Sequence, residues 1–274
     1  MHTMIKLPGG GAPTNNAPAR FLRVSLNKNN FSKYIFQKAF TLSEVLITLG
    51  IIGIIAAMTF PGVIKDYNKK VIALKLKKMY AVLQSETNLS ISQNGDLKDW
   101  YGESAFQEGF EGAYRLYSLF IRPYYNIIQE CVAGSNNSSG YKKCGYKENM
   151  IYSFDGRNSV EVSTNKIPVV LNDGSILIFR PSKEDLSSSG SGVWGYYWVV
   201  YYDVNGNKMP NKLGKDIFVF NLSPYNNKVN PVGIYRSISD TTLKPAQSRY
   251  EQCITTGDTC SGQILLDNWE ITYD

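Results

Sequence analysis

The chain has 274 residues, room for one domain of ordinary size plus an appendage, because single cores stop growing near ~250 residues. Its one histidine is His2, so no later segment supplies an imidazole, and Ser-His and Cys-His catalysis are excluded. The net charge of +6 is local: Lys6, Arg20, Arg23, Lys28, Lys33 and Lys38 precede Phe40 with no acid among them, and the rest is formally neutral, without the broad positive field of a nucleic-acid footprint.

Residues 1–39 are basic and acid-free, rich in Gly, Pro and Asn over 8–19, and read as a leader rather than a folded element. A start at a non-Met codon such as Val24 or Ile35 would shorten it. Residues 45–60, VLITLGIIGIIAAMTF, carry no charge, and 40–42 extend the apolar length beyond Ser43 and Glu44. A membrane helix needs ~20 apolar residues, so 40–61 is the predicted span. The positive-inside rule keeps the basic leader in the cytoplasm and puts the chain beyond Pro61 outside. Gly50, Gly53, Ala56 and Ala57 permit close approach of a neighbouring helix.

Beyond Pro61 the apolar residues Ile64, Tyr67, Val71, Leu74, Met79 and Val82 recur at helical spacing among Lys69, Lys70, Lys75, Lys77 and Lys78. This predicts an amphipathic continuation over 62–93, kinked at Pro61 and stopped by Asn94-Gly95-Asp96. The remainder, 94–274, is the globular head. Phe106, Phe110, Ala113, Tyr114, Tyr117 and Phe120 predict a second helix ending before Pro123, with a core role only. Strands are expected over 151–154, 160–163, 168–171, 175–179, 193–204, 217–220 and 233–238. Asn172-Asp173-Gly174 and Asn205-Gly206 signal hairpins, and 186–192 reads as a flexible loop.

Cys131 and Cys144 have twelve residues between them, Cys253 and Cys260 six, too many for Cys-x-x-Cys zinc ligation. In an oxidising space two local disulfides are the simplest of three connectivities; four free thiols are the alternative.

The string Lys38-Ala39-Phe40-Thr41-Leu42-Ser43-Glu44-Val45 resembles the processing and methylation site of type IV prepilins and type II secretion pseudopilins. The resemblance implies cleavage between Ala39 and Phe40 by a prepilin peptidase that also methylates the new amino terminus. Ala39 stands where these families usually have glycine, and keeps the small size. A carboxylate beside a membrane helix costs about 2.5 to 3.5 kcal/mol at the helix centre and needs a partner, and the chain offers Glu44 none nearby. In the resembling filaments this glutamate meets the cationic amino terminus of a neighbouring subunit, which makes Glu44 an assembly residue.

The same resemblance implies an α+β, pilin-like fold with the long helix packed on an antiparallel sheet. Cys253 to Cys260 resembles the disulfide-bounded region that closes many pilin heads, which would pin a final strand around 269–273. Asp203, Asn205 and Asn207, followed by Asp216, resemble the acidic loops that hold calcium in some major pseudopilins, since calcium takes oxygen ligands. A plain Asn-Gly turn is the competing reading. The implied function is a structural subunit, not an enzyme, of a type II secretion pseudopilus or type IV pilus. It would sit in the inner membrane with its head outside, then in the filament. Its partners would be other subunits, the prepilin peptidase, the inner-membrane assembly machinery and the lipid bilayer. Two alternatives are a competence-type pilin binding DNA through Lys142, Lys143 and Lys147, and a simple single-pass anchored domain.

Overall fold

The computed structural model describes residues 40–100, 102–162, 164–185, 194–240 and 242–274. The leader with Ala39, and the loop read over 186–192, lie outside the described residues. The chain divides into two units, Met1–Ile55 and Ala56–Asp274. Helix α1 (Leu42–Asn94) begins in the first and continues through Pro61. Among the described residues it is the helix long and apolar enough to cross a membrane. Leu46, Ile47, Leu49, Ile51 and Ile52 are all exposed, so this stretch has no protein core of its own.

In the second unit α1 buries Ala73, Leu76, Met79, Leu83, Thr87 and Ser90, one residue every three or four. The expected stripe is met in part: Met79 is buried and Val82 packs against the core, whereas Ile64, Tyr67 and Leu74 are exposed. The buried row runs through Leu76 and Leu83, whose side chains are wholly inaccessible, with small Ala73 letting the backbone approach. An apolar list that omits alanine misses part of the face.

The second helix forms as two. Short α2 (Glu103–Gln107) and α3 (Phe110–Phe120) are separated at Gly109, whose φ of 65° breaks the helical path. Strand β1 (Ile127–Glu130) and short α4 (Gly140–Lys143) come next, then a small antiparallel pair, β2 (Met150–Tyr152) and β3 (Ser159–Glu161). The main sheet adds β4 (Ile167–Leu171), β5 (Ile176–Asp185), β6 (Trp194–Asp203), β7 (Ile217–Ser223) and β8 (Lys228–Pro231), ordered β1-β4-β5-β6-β7-β8 with every pair antiparallel. The edge strands are short: β1 shifts register between Ile127 and Gln129, and β8 ends at Pro231.

Alternation along these strands feeds two cores. Val169, Leu177, Phe179, Val200, Tyr202, Phe218 and Phe220 point to the face that also receives Leu76, Met79 and Leu83 of α1 and Ala113 and Tyr117 of α3. On the opposite face Ile176, Ile178, Val199, Tyr201 and Val219 pack with Tyr146, Ile151, Val162 and the Cys131–Cys144 disulfide. The architecture is α+β, a long apolar helix followed by a six-stranded antiparallel sheet, consistent with the pilin fold.

Three expectations about strands are corrected. Residues 233–238 form no strand; Gly233 turns at φ 102° and Tyr235 makes only an isolated bridge to Leu243. Asn172-Asp173-Gly174 does close the β4–β5 hairpin, with Gly174 at φ 80°, but Asn205-Gly206 is only part of the longer loop 204–216 between β6 and β7. No strand exists around 269–273. The C-terminal region instead forms α5 (Ala246–Thr255) and α6 (Cys260–Leu266), bridged by the Cys253–Cys260 disulfide, and Trp269 packs on Tyr80 with ring centroids 5.6 Å apart.

The last residues are tied down by hydrogen bonds rather than by a ladder. The buried Tyr273 hydroxyl donates to Gly214 O at 2.7 Å, and Lys69 Nζ donates to Tyr273 O at 2.6 Å. Lys65 and Lys69 also hold the Asp274 carboxylate at 2.9 and 2.6 Å, and their hydrogen bonds lower its pKa to about 2. A depressed carboxyl contributes above its unfolded pKa and is lost as pH falls through its folded one. The clasp should therefore persist at pH 5 and open between about pH 4 and 2. Asp274 carboxyl chemical shifts, recorded on the full chain, give its midpoint; a value near 4 would mean the two lysines do not hold it.

Candidate functional site

At the start of α1, Thr41 N and Thr41 Oγ1 donate to Glu44 Oε2 at 2.9 and 2.8 Å, and Glu44 N donates to Thr41 Oγ1 at 3.2 Å. Thr41 O accepts from Val45 N at 3.2 Å. This is a capping box: a threonine N-cap and a glutamate three residues on satisfy one another's backbone donors, which the helix itself cannot. The expectation that Glu44 has no partner in its own chain is thus corrected. The signal was present as Thr-Leu-Ser-Glu directly before an apolar run. Phe40 is exposed beside this cap.

Loop 204–216 brings together three of the four residues read as calcium ligands. Asn205 ties the two acids: its N–H donates to Asp203 Oδ1 at 3.2 Å and its Nδ2 to Asp216 Oδ2 at 3.2 Å. Tyr146, remote in sequence, donates its hydroxyl to Asp203 Oδ2 at 2.6 Å. Asn211 N and Lys212 N donate to Asp216 at 2.9 and 2.7 Å. Asn207 leaves the group and donates through Nδ2 to Gly145 O at 3.1 Å. Burial, and then Asp216 across the loop, push the Asp203 carboxyl well above the usual carboxylate range, and burial raises Asp216 too. Both acids are almost inaccessible, and the side-chain oxygens Oδ1 of Asn205 and Asn211 are buried without a hydrogen-bond partner. Sequence reading missed Asn211 and Tyr146; only the second needed the fold to bring it near.

The three lysines of the DNA-binding alternative are all exposed; Lys143 Nζ donates to Val132 O at 2.5 Å and the Lys142 ammonium lies 5.9 Å from the Tyr141 ring centroid. The α4 turn that carries the first two is anchored by Cys131–Cys144.

An apolar helix with a capped first turn, followed by a two-faced antiparallel sheet, is consistent with the pilin fold. Residues 36–60 match the prokaryotic N-terminal methylation motif, the signature of type IV pilins and pseudopilins. Residues 62–274 match a family of unknown function, DUF6613, and the chain belongs to that family. No curated protein and no solved structure matches the chain.

Proposed function

We propose that this protein is a structural, non-enzymatic subunit of a type II secretion pseudopilus or type IV pilus. In this reading it is cut between Ala39 and Phe40, methylated on Phe40, held in the inner membrane by 40–61 with the head outside, and assembled with other subunits through the helix. The observation that carries the reading is the methylation motif over 36–60, joined to a helix whose first turn is capped by its own Thr41 and Glu44. Mass spectrometry of the protein from membranes with an active prepilin peptidase should give a chain beginning at Phe40 and heavier by one methyl group. A chain that keeps residues before Phe40 there would end the proposal.

A second reading concerns the loop. We propose that Asp203, Asn205, Asn211 and Asp216 hold one calcium ion. What favours it is the pair of buried amide oxygens without a donor beside two buried carboxylates. Calcium takes six to eight oxygens and is recruited by such sets with backbone carbonyls and water completing the shell. Bound calcium would neutralise two acids that otherwise repel each other in a low-dielectric setting. A ligand at a hundred times its Kd stabilises by about 2.7 kcal/mol. The full chain in detergent should therefore melt several degrees higher in millimolar calcium than in EGTA, and Asp216→Asn should remove the difference. Superimposable melting curves of the unsubstituted protein would exclude the site.

A further inference from the structure

The outer face of the sheet is covered by the Cys131–Cys144 region over much of its area, but a cavity of about 340 Å³ opens onto it between the β2–β3 turn and the loop joining α5 to α6. Arg180 of β5 stands in its floor, opposite Val199 of β6. The guanidinium carbon lies 5.7 Å from the Tyr201 ring centroid, so the ring orients the group from one side. Among the described residues no carboxylate comes within 4.0 Å of it, and its Nε is buried without a hydrogen-bond partner.

The neighbouring strand adds a second cation. Lys166, just before β4 and beside Arg180 across the pair, is buried, and its Nζ has only Thr164 O at 3.3 Å. Burial first, and Arg180 second, pull its pKa down to about 8. Two cations therefore share a partly desolvated position where the nearby Glu161 offsets only part of their charge. Leaving a guanidinium desolvated and unpaired is costly, and a planar carboxylate is the group whose two oxygens match its fork.

The rest of the cavity narrows the choice of anion. Asp258 lies in its wall and disfavours a dianion such as a phosphate ester. The side-chain amides of Asn158 and Asn221 hydrogen-bond to no described residue and are positioned to serve hydroxyl groups. Tyr197 and Tyr201 contribute flat apolar faces. Its volume suits one small polar molecule. We infer that this cavity binds a hydroxylated monocarboxylate of the sugar-acid class, with Arg180 taking the carboxylate and Asn158 and Asn221 the hydroxyls. This assigns the head a ligand site independent of whether the chain enters a filament.

Saturation-transfer NMR and calorimetry on the full chain in detergent, with D-glucuronate, D-glucose and inorganic phosphate as probes, decide it. Glucuronate should bind at least tenfold more tightly than either of the others. Arg180→Gln should lose at least tenfold, Arg180→Lys should fall between, and Lys228→Gln, on the exposed edge strand, should bind as the unsubstituted protein does. Equal affinity for glucuronate and glucose would overturn the proposal without any variant, as would phosphate binding as well as glucuronate. Unchanged binding by a folded Arg180→Gln protein would overturn the role of the arginine.

Discussion

Glu44→Gln and Glu44→Val should both be cut and methylated normally, yet both should enter filaments at least tenfold less than the unsubstituted subunit when the two are co-expressed. The pair separates two jobs of one side chain. Glutamine keeps an amide oxygen that accepts from Thr41 N–H, so it preserves the capping box of the first helical turn; valine removes both the cap and the charge. The cap is worth about 0.5 to 2 kcal/mol and acts within one chain. An ion pair with a neighbour's amino terminus needs the negative charge, which no cation among the described residues pairs with and which is expensive in a bilayer. The readout is the ratio of variant to unsubstituted subunit in sheared filaments, against the same ratio in the membrane pool. Filament entry by Glu44→Gln at the unsubstituted level, with Glu44→Val excluded, would mean the carboxylate matters only as a cap.

Phe179→Ala should cost about 3 to 5 kcal/mol, a large fraction of the ~5 to 15 kcal/mol by which a domain is stable. Phe179 is wholly inaccessible at the centre of the inner core. Its ring meets Tyr117 of α3 at 5.5 Å between centroids and Tyr125 edge-on at 5.7 Å, so truncation removes both aromatic contacts at once. Tyr125 cannot swing in to fill the void, because its Oη is held 3.5 Å from both Thr87 Oγ1 and Leu83 O of α1. Urea unfolding of the full chain should show a much lower midpoint, whereas Leu119→Ala, at an exposed position of α3, should stay within about 0.5 kcal/mol. Equal midpoints for the two variants would show that the core is more plastic than its close packing implies.

Sequence periodicity locates the central strands because Ile, Val, Tyr and Phe alternate there, and it finds the β4–β5 turn because Gly174 must adopt a positive φ. It fails where local chemistry and tertiary position disagree. The pattern ends β5 at 179, since Arg180-Pro181-Ser182-Lys183 looks like loop; the strand continues to Asp185 because β6 pairs with it along its length. That same misreading hides Arg180, a charged residue set in a sheet face. The C-terminal helices escape because α5 is mostly polar and draws its stability from Cys253 and the packing around it. Both cysteine pairs are joined locally, the simplest of the three connectivities, while the partnership of Tyr146 with Asp203 spans 57 residues and no spacing rule reaches it.

The short, irregular borders of the sheet have a consequence for heads packed side by side, as in the proposed filament. An exposed, long, flat strand would be a template for runaway pairing between heads, the route to cross-β fibres. Here one border is four residues long and interrupted in register, and the other is four residues long and closed by a proline that has no N–H to donate. Crowded heads are thereby denied backbone-to-backbone polymerisation, and any order among them is left to side-chain surfaces and to the apolar helix.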